Sequence, residues 1–149
     1  MSLPDGHDKA IIAELQRDGR ASYAAIGHAV GLSETAVRNR VKRLTDAGVM
    51  QIVAVTDPMQ LGFARQAMIG IRASGALEPV AEALAALPEV DYVVITAGSY
   101  DVLAEVVCES DAHLLDLVSG RIRQIDGVRE TDTLMYLKLQ QQTYAWGVR

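Results

Sequence analysis

The stretch that most constrains this chain is "SYAAIGHAVGLSETAVRNRVKRLTDAG", residues 22–48. Two serines open apolar-periodic segments and two glycines close them. Ser22 is placed to cap a helix whose inner face carries Ile26, Ala29 and Val30, and Gly31 ends it. Ser33 caps the next, with Val37, Val41 and Leu44 at i, i+4 and i+7; Gly48 stops it after Ala47. Upstream, "DKAIIAELQR" (8–17) sets Ile11, Ile12 and Leu15 on one face, with Asp8 at the end where the helix dipole favours an acid. Three short helices, the last two joined by a tight glycine-containing turn, have the sequence form of a helix-turn-helix unit.

The third helix holds "RNRVKR", residues 38–43, four positive charges in six positions. The chain around it is acidic, with 14 Lys plus Arg against 19 Asp plus Glu. Residues 1–50 carry 7 basic against 6 acidic side chains, and residues 51–149 carry 7 against 13. A basic run alone is ordinarily a solvated helix face. This one lies on the second helix of the unit, and Arg and Asn can each make forked hydrogen bonds to base edges. Val41 faces the core, so Arg38, Asn39, Lys42 and, more marginally, Arg40 and Arg43 line the outer faces. With Ser33 and Thr35 at the N-terminal end, they are the expected DNA-binding residues, divided between phosphates and bases of double-stranded DNA.

At 149 residues, half of them hydrophobic, the chain can form one medium domain or two small ones. No apolar run approaches the roughly 20 residues that span a bilayer, and "MSLPDGHDKA" has neither the basic nor the apolar region of a signal peptide. Cys108 is the single cysteine, which fits a reducing, cytoplasmic location and a packing role. His7, His28 and His113 sit apart and read as surface residues. Neither a metal nor a cofactor is expected.

After Gly48, "VMQIVAVTDP" is rich in β-branched residues and reads as a strand leading out of the first module. The first domain is set at 1–56, a hinge at 57–63 and the second domain at 64–149. In the second, 65–73 reads as a strand and 78–87 as a helix with Val80, Leu84 and Leu87 inward. Strands follow at 90–97 and 102–108. A helix over 111–125 turns Leu114, Leu115, Val118, Ile122 and Ile125 inward, and 129–139 is a last strand. The order β-α-β-β-α-β is the ferredoxin-like pattern, making the fold class α+β. Strand 90–97 is apolar on both sides, so the uncovered sheet face is expected to bury Val93 and Ile95 against a second subunit. Glu105, mid-strand, either pairs across a subunit interface or faces solvent. Trp146 is expected to pack at an interface.

The stretches "DKAIIAELQRDGR", "IGHAVGLSETAVRNRVKRLTDAGVM", "TDPMQLGF" and "GSYDVL", in this order and at these separations, resemble the Lrp/AsnC (feast/famine) transcription regulators over nearly the whole chain. The resemblance implies a winged helix-turn-helix followed by a ferredoxin-like effector domain, dimers assembling to larger rings, often octamers, and an amino acid bound between effector domains. An effector site is expected at the turn Gly98-Ser99-Tyr100-Asp101 and the facing last strand, near Thr133, Met135 and Tyr136, at a contact between dimers; the alternative is a plain hairpin turn with no ligand. Asp101 is the candidate acceptor for the ammonium, unless it holds the turn in shape, and backbone N–H groups beside Gly98 are candidate donors to the carboxylate. Ser99 stands where the family commonly has an acid, which favours a neutral or apolar ligand side chain. Ala25 stands where a capping-box Glu is usual. The alternative is an enzyme resembling the sirohaem decarboxylases, which share the two-domain architecture; the scattered histidines and the basic helix speak against it.

Overall fold

The computed structural model describes residues 3–144, 147 and 148; Trp146 lies outside them. Thr56–Gln140 form one compact unit, and the residues up to Val55, with the tail from Gln141, form the other. The last strand ends at Met135.

The first unit is three helices, α1 (Gly6–Arg17), α2 (Tyr23–Val30) and α3 (Glu34–Asp46). α1 begins two residues earlier than expected because Asp5 caps it. The Asp5 side chain accepts from the Asp8 N–H at 2.9 Å and Asp8 accepts from the Asp5 N–H at 3.0 Å, a reciprocal capping box. Ser22 and Ser33 cap α2 and α3 as their sequence predicts, accepting from Ala25 and Ala36 N–H. Ala25 offers no return bond, so the box at α2 is half made. Ile11, Leu15, Ile26, Val37 and Val41 form the core, with Val30, Leu32 and Met50 packed around it. Each such side chain contributes roughly 1.5–3 kcal/mol by leaving water. Ala29, expected inside, is exposed.

Two glycines set the turn between α2 and α3. Gly31 has φ +72°, the left-handed conformation that ends α2. Gly27 was not singled out by the sequence, yet a Cβ there would lie 2.5 Å from the Leu32 carbonyl oxygen. Its missing side chain is what lets the turn fold back onto α2.

The strand expected after Gly48 does not form. Residues 49–57 take no regular structure, and Ile52, Val53 and Val55 are exposed. β-branched composition favours extended backbone, but a strand needs a lateral hydrogen-bonding partner, and no described segment of the chain supplies one.

In the second unit a 3₁₀ turn, Pro58–Leu61, leads to β1 (Arg65–Ala73), α4 (Glu78–Ala85), β2 (Val90–Ile95), β3 (Val102–Cys108), α5 (Asp111–Leu115) and β4 (Val128–Met135). The sheet order is β2-β3-β1-β4, with every neighbouring pair antiparallel, which is the expected ferredoxin-like topology. Ala67, Ile69, Ile71, Val102, Ala104, Val106 and Cys108 meet Val80, Leu84, Leu117 and Ile122 in one core on the helical face.

Two expectations fail here for identifiable reasons. α5 continues as a π-helical turn, Asp116–Arg121, then a 3₁₀ turn, Ile122–Gln124. The wider turn shifts the inward face, so Leu117 is fully buried and Leu115, expected inside, is exposed. In β2 a bulge between Val90 and Tyr92 shifts register, and Val93, paired with Ala104, packs on the core instead of the uncovered face. Ile95 pairs with Val102, a core residue, and so lies on that same face, but it stays exposed, as expected of an apolar residue that the chain alone leaves wet. The uncovered face of β2 presents Tyr92 and Val94. Glu105 is half-buried and accepts from Gln66 Nε2 at 2.8 Å and from the Tyr136 hydroxyl.

Replacing Gly27 with Ala forces a methyl group against the turn backbone. Gly27→Ala is expected to lower stability by about 1–3 kcal/mol, the usual cost of overpacking, read as a reduced thermal midpoint of the helical circular-dichroism signal.

Candidate nucleic-acid interface

α3 has three kinds of surface. Val37, Val41 and Leu44 face the core. Thr35, Arg38, Asn39 and Lys42 are exposed on the outside. Arg40 and Arg43 point toward the start of α1, where they meet Asp8.

The outer row is held lightly. Arg38 Nη2 donates to Glu34 at 2.6 Å and its guanidinium lies 5.7 Å from the Tyr23 ring centroid. Lys42 Nζ donates to Asp46 at 2.5 Å. Both are i, i+4 pairs with exposed partners, worth about 0.3–0.5 kcal/mol. Such pairs keep long side chains extended and exchange readily for a phosphate. The side chains of Thr35 and Asn39 make no hydrogen bond among the described residues, and the Ser33 hydroxyl is engaged in its cap.

Arg40 and Arg43 are bound differently: both reach back to Asp8, Arg40 half-buried and Arg43 still exposed. Arg40 Nη1 donates to Asp8 Oδ1 and to Asp5 Oδ2, both at 2.8 Å. Arg43 Nη2 donates to both oxygens of Asp8, at 2.7 and 2.6 Å. Asp8 is 1 % exposed. Burial by itself would raise its pKa; the hydrogen bonds from Arg43, Arg40 and the Asp5 N–H outweigh it and hold the carboxyl at about 2. The sequence showed an acid early in α1 and a basic run 30 residues later. Nothing in helical periodicity says that the two meet.

The turn after β2 is also more tightly built than expected. Asp101 Oδ2 accepts from the Ala73 N–H at 2.8 Å and the Asp101 N–H donates to the Ile71 carbonyl at 2.9 Å. Thr96 closes the turn from the other side, its hydroxyl donating to the Tyr100 carbonyl at 2.6 Å. Of the two roles open to Asp101, holding the turn is the one seen. The Tyr100 ring lies over Gly70, where a Cβ would come within 2.7 Å of it, and its hydroxyl donates to Asp132 at 2.7 Å. Arg72 sits 5.3 Å from the ring centroid, donates to the Ser99 carbonyl at 3.0 Å, and pairs with Glu130.

The structure therefore divides the expected effector residues. Thr133 and Met135 register with Ile69 and Ala67, which puts them on the helical face. Tyr100 lies on the opposite face with Gly70 and Asp132. Tyr136 lies past the end of β4, its N–H on the Gln66 carbonyl; burial first, then Glu105, pushes its phenol up to about 12. Gly98 is exposed and a Cβ there meets nothing within 4 Å. Arg72, Glu130 and Asp132 belong to this cluster and were missed, because register across β1 and β4 brings them together. A separate open groove of about 580 Å³ lies between the β1–α4 and α5–β4 connections, lined among others by Ser74, Arg123, Asp126 and Arg129.

Two further sequence readings resolve here. Cys108 is fully buried, and burial together with the Glu89 carboxylate raises its thiol pKa, as suits a packing residue. His113 is not free on the surface: its Nε2 lies 3.2 Å from Glu89 Oε1, which also accepts from Arg121. Among the described residues no group of three potential ligands can hold a metal, and no helix is long and apolar enough to cross a membrane.

A capped three-helix unit with an exposed basic and amide row on its third helix, joined to an antiparallel α+β unit, defines a two-domain helix-turn-helix regulator. Comparison with known proteins agrees. Residues 5–45 match the AsnC-type helix-turn-helix domain and residues 66–149 match a C-terminal dimeric alpha+beta barrel domain of AsnC-type regulators. The chain is 35% identical to the HTH-type transcriptional regulator FL11 of Pyrococcus furiosus over 93% of both chains. It superposes on the leucine response regulatory protein LrpA of Mycobacterium tuberculosis with TM-score 0.84, at 30% identity over 93% of this chain and 95% of that one. A transcriptional regulator of Neisseria meningitidis, solved with L-Met, gives TM-score 0.80 at 26% identity over 95% and 94%. The chain belongs to the Lrp/AsnC family of transcriptional regulators. It is a DNA-binding regulator and not an enzyme, so the decarboxylase alternative falls.

The low pKa of Asp8 links this site to pH. A folded-state pKa below the unfolded one contributes stability that is present above about pH 4 and lost as pH falls toward about 2. The thermal midpoint of Asp8→Asn is expected to lie below wild type at neutral pH, and the gap is expected to close between about pH 4 and pH 2. A gap constant over that range refutes the assignment.

Proposed function

We propose that this regulator binds operator DNA as a dimer, with α3 of each subunit in a major groove, and that an amino acid tunes its assembly through the second unit. The observation that carries the DNA reading is the row Thr35, Arg38, Asn39 and Lys42, exposed on one face of a helix whose other face is locked into the core. Arg38 and Asn39 have the forked geometry that reads guanine and adenine, and Lys42 and Ser33 are placed for phosphate. Two such helices address half-sites about one helical turn apart, roughly 34 Å. Arg38→Ala is expected to cost about 1–3 kcal/mol on a mapped operator and to relax its sequence preference. Lys42→Ala should weaken binding to all sequences alike. Both are read by fluorescence anisotropy at fixed salt, and an operator affinity unchanged by Arg38→Ala plus Asn39→Ala would mean another element reads the bases.

The effector reading is supported by the neighbour solved with L-Met and by the built turn at 96–101. Its exposed elements are Gly98, Ser99 and the Tyr100 edge. Asp101 serves there by holding the backbone, so the donors for a ligand carboxylate are the N–H groups beside Gly98. An uncovered sheet face carrying Met68, Leu103, Val94 and Leu134 favours pairing with a second copy, and family resemblance extends that to a larger ring, an octamer. Protein and DNA meet in the cytoplasm. Coupling of ligand to assembly requires different affinity for two assembly states. A neutral amino acid such as methionine is expected to bind wild type and not Gly98→Val by isothermal titration, with a ligand-dependent change in mass by light scattering. Equal binding by both proteins places the site elsewhere, for which the 580 Å³ groove is the next candidate.

A further inference from the structure

The third helix carries four cations, and the structure sorts them into two pairs of opposite character. Arg38 and Lys42 have partners on their own helix, Glu34 and Asp46, and all four side chains are at least half exposed. A phosphate can displace either carboxylate at little cost. Arg40 and Arg43 converge on a carboxylate that is 1 % exposed. Asp8 accepts from Arg40, from Arg43 at both oxygens, and from the Asp5 N–H. Drawing either guanidinium away to DNA removes one of the two partners of a buried charge, and drawing both away leaves it uncompensated, which is strongly unfavourable.

We propose that Asp8 is a specificity-determining residue: it withdraws Arg40 and Arg43 from DNA and so keeps the affinity of α3 for unrelated sequence low. The inference rests on the reading of α3 as the DNA-reading helix. Its physical content is a division of labour. Affinity for any duplex follows the number of phosphates neutralised, each adding about 0.9 to the slope of log K against log salt. Sequence preference comes from base contacts, which that background masks when it grows. A helix with four available cations grips every duplex. A helix with two leaves discrimination to Arg38 and Asn39. Asp8 touches no DNA in this scheme. It acts through the two arginines, and Asp5, half exposed, helps by holding Arg40 from the other side.

The test uses the full chain and a duplex of random sequence, with affinity measured by anisotropy across a salt series. Asp8→Asn is expected to steepen the slope by about 0.9 to 1.8 per reading helix, to tighten random-duplex binding several-fold at low salt, and to narrow the ratio between operator and random DNA. A role in folding alone weakens both duplexes together and leaves the ratio in place. Arg43→Gln is the second variant, since Asp8 keeps Arg40 as a partner if Arg43 is removed. It is expected to leave the slope unchanged, while Lys42→Gln flattens it by about 0.9. If Asp8→Asn does not fold, judged by thermal melting, the comparison of Arg43→Gln with Lys42→Gln decides. The inference is overturned if Arg43→Gln flattens the slope as much as Lys42→Gln does, or if folded Asp8→Asn binds random DNA no better than wild type. Failure of the underlying reading looks different: neither Lys42→Gln nor Arg38→Gln then moves the slope at all.

Discussion

The ion cluster at Asp8 is the constraint on which the first unit turns. Helices α1 and α3 share a small close-packed core of aliphatic side chains, in which Val37, Val41 and Leu44 turn one face of α3 inward. A carboxylate receiving two guanidiniums at 2.6–2.8 Å adds a directional contact between the same two helices. A buried ion cluster of this kind is weak evidence for stability, since hydrophobic replacements of similar volume are often as stable. Its value here is orientation. The capping box that starts α1 uses the same carboxylate, so helix initiation, helix packing and helix presentation meet at one residue.

The second unit is organised around an asymmetry between its sheet faces. On one face the helices cover an aliphatic core. On the other, polar groups that a strand ordinarily leaves to water are satisfied within the chain: Gln66 and Tyr136 on Glu105, Tyr100 on Asp132, Arg72 on Glu130. These pairs neutralise the face without making it polar throughout, and aliphatic side chains remain between them. Such a surface can associate without burying an unpaired charge. The Tyr100 ring over Gly70, with its hydroxyl on Asp132, ties the β2–β3 turn to the sheet.

The parts legible in the sequence were those governed by neighbours along the chain. Ser22 and Ser33 as caps, Gly31 and Gly48 as stops, and the i, i+4, i+7 row Val37, Val41, Leu44 depend on local geometry and were found where expected. The second-domain order was readable for the same reason. The errors have physical causes. The strand expected at 49–57 lacked a lateral partner. Leu115 and Leu117 exchanged places because a π-helical turn breaks the 3.6 period, and Val93 changed face because a bulge breaks the period of two. The last two are one-residue departures from regularity that leave almost no trace in composition, and the first turns on a partner segment that local sequence does not reveal.

By itself the sequence determined the family, the two-unit organisation, and the helix that carries the basic run. Those follow from patterns repeated over many residues, which single irregularities do not erase. What only the tertiary structure decided is how the charges are used. Arg38 and Lys42 stay on their own helix while Arg40 and Arg43 reach across to Asp8. In the second unit, Thr133 and Met135 part from Tyr100 because paired residues of adjacent strands share a face. Both outcomes depend on residues about 30 or more apart in sequence meeting within 3 Å. Hydrogen bonds and ion pairs act only at such contact, and it is packing that chooses which distant groups arrive there.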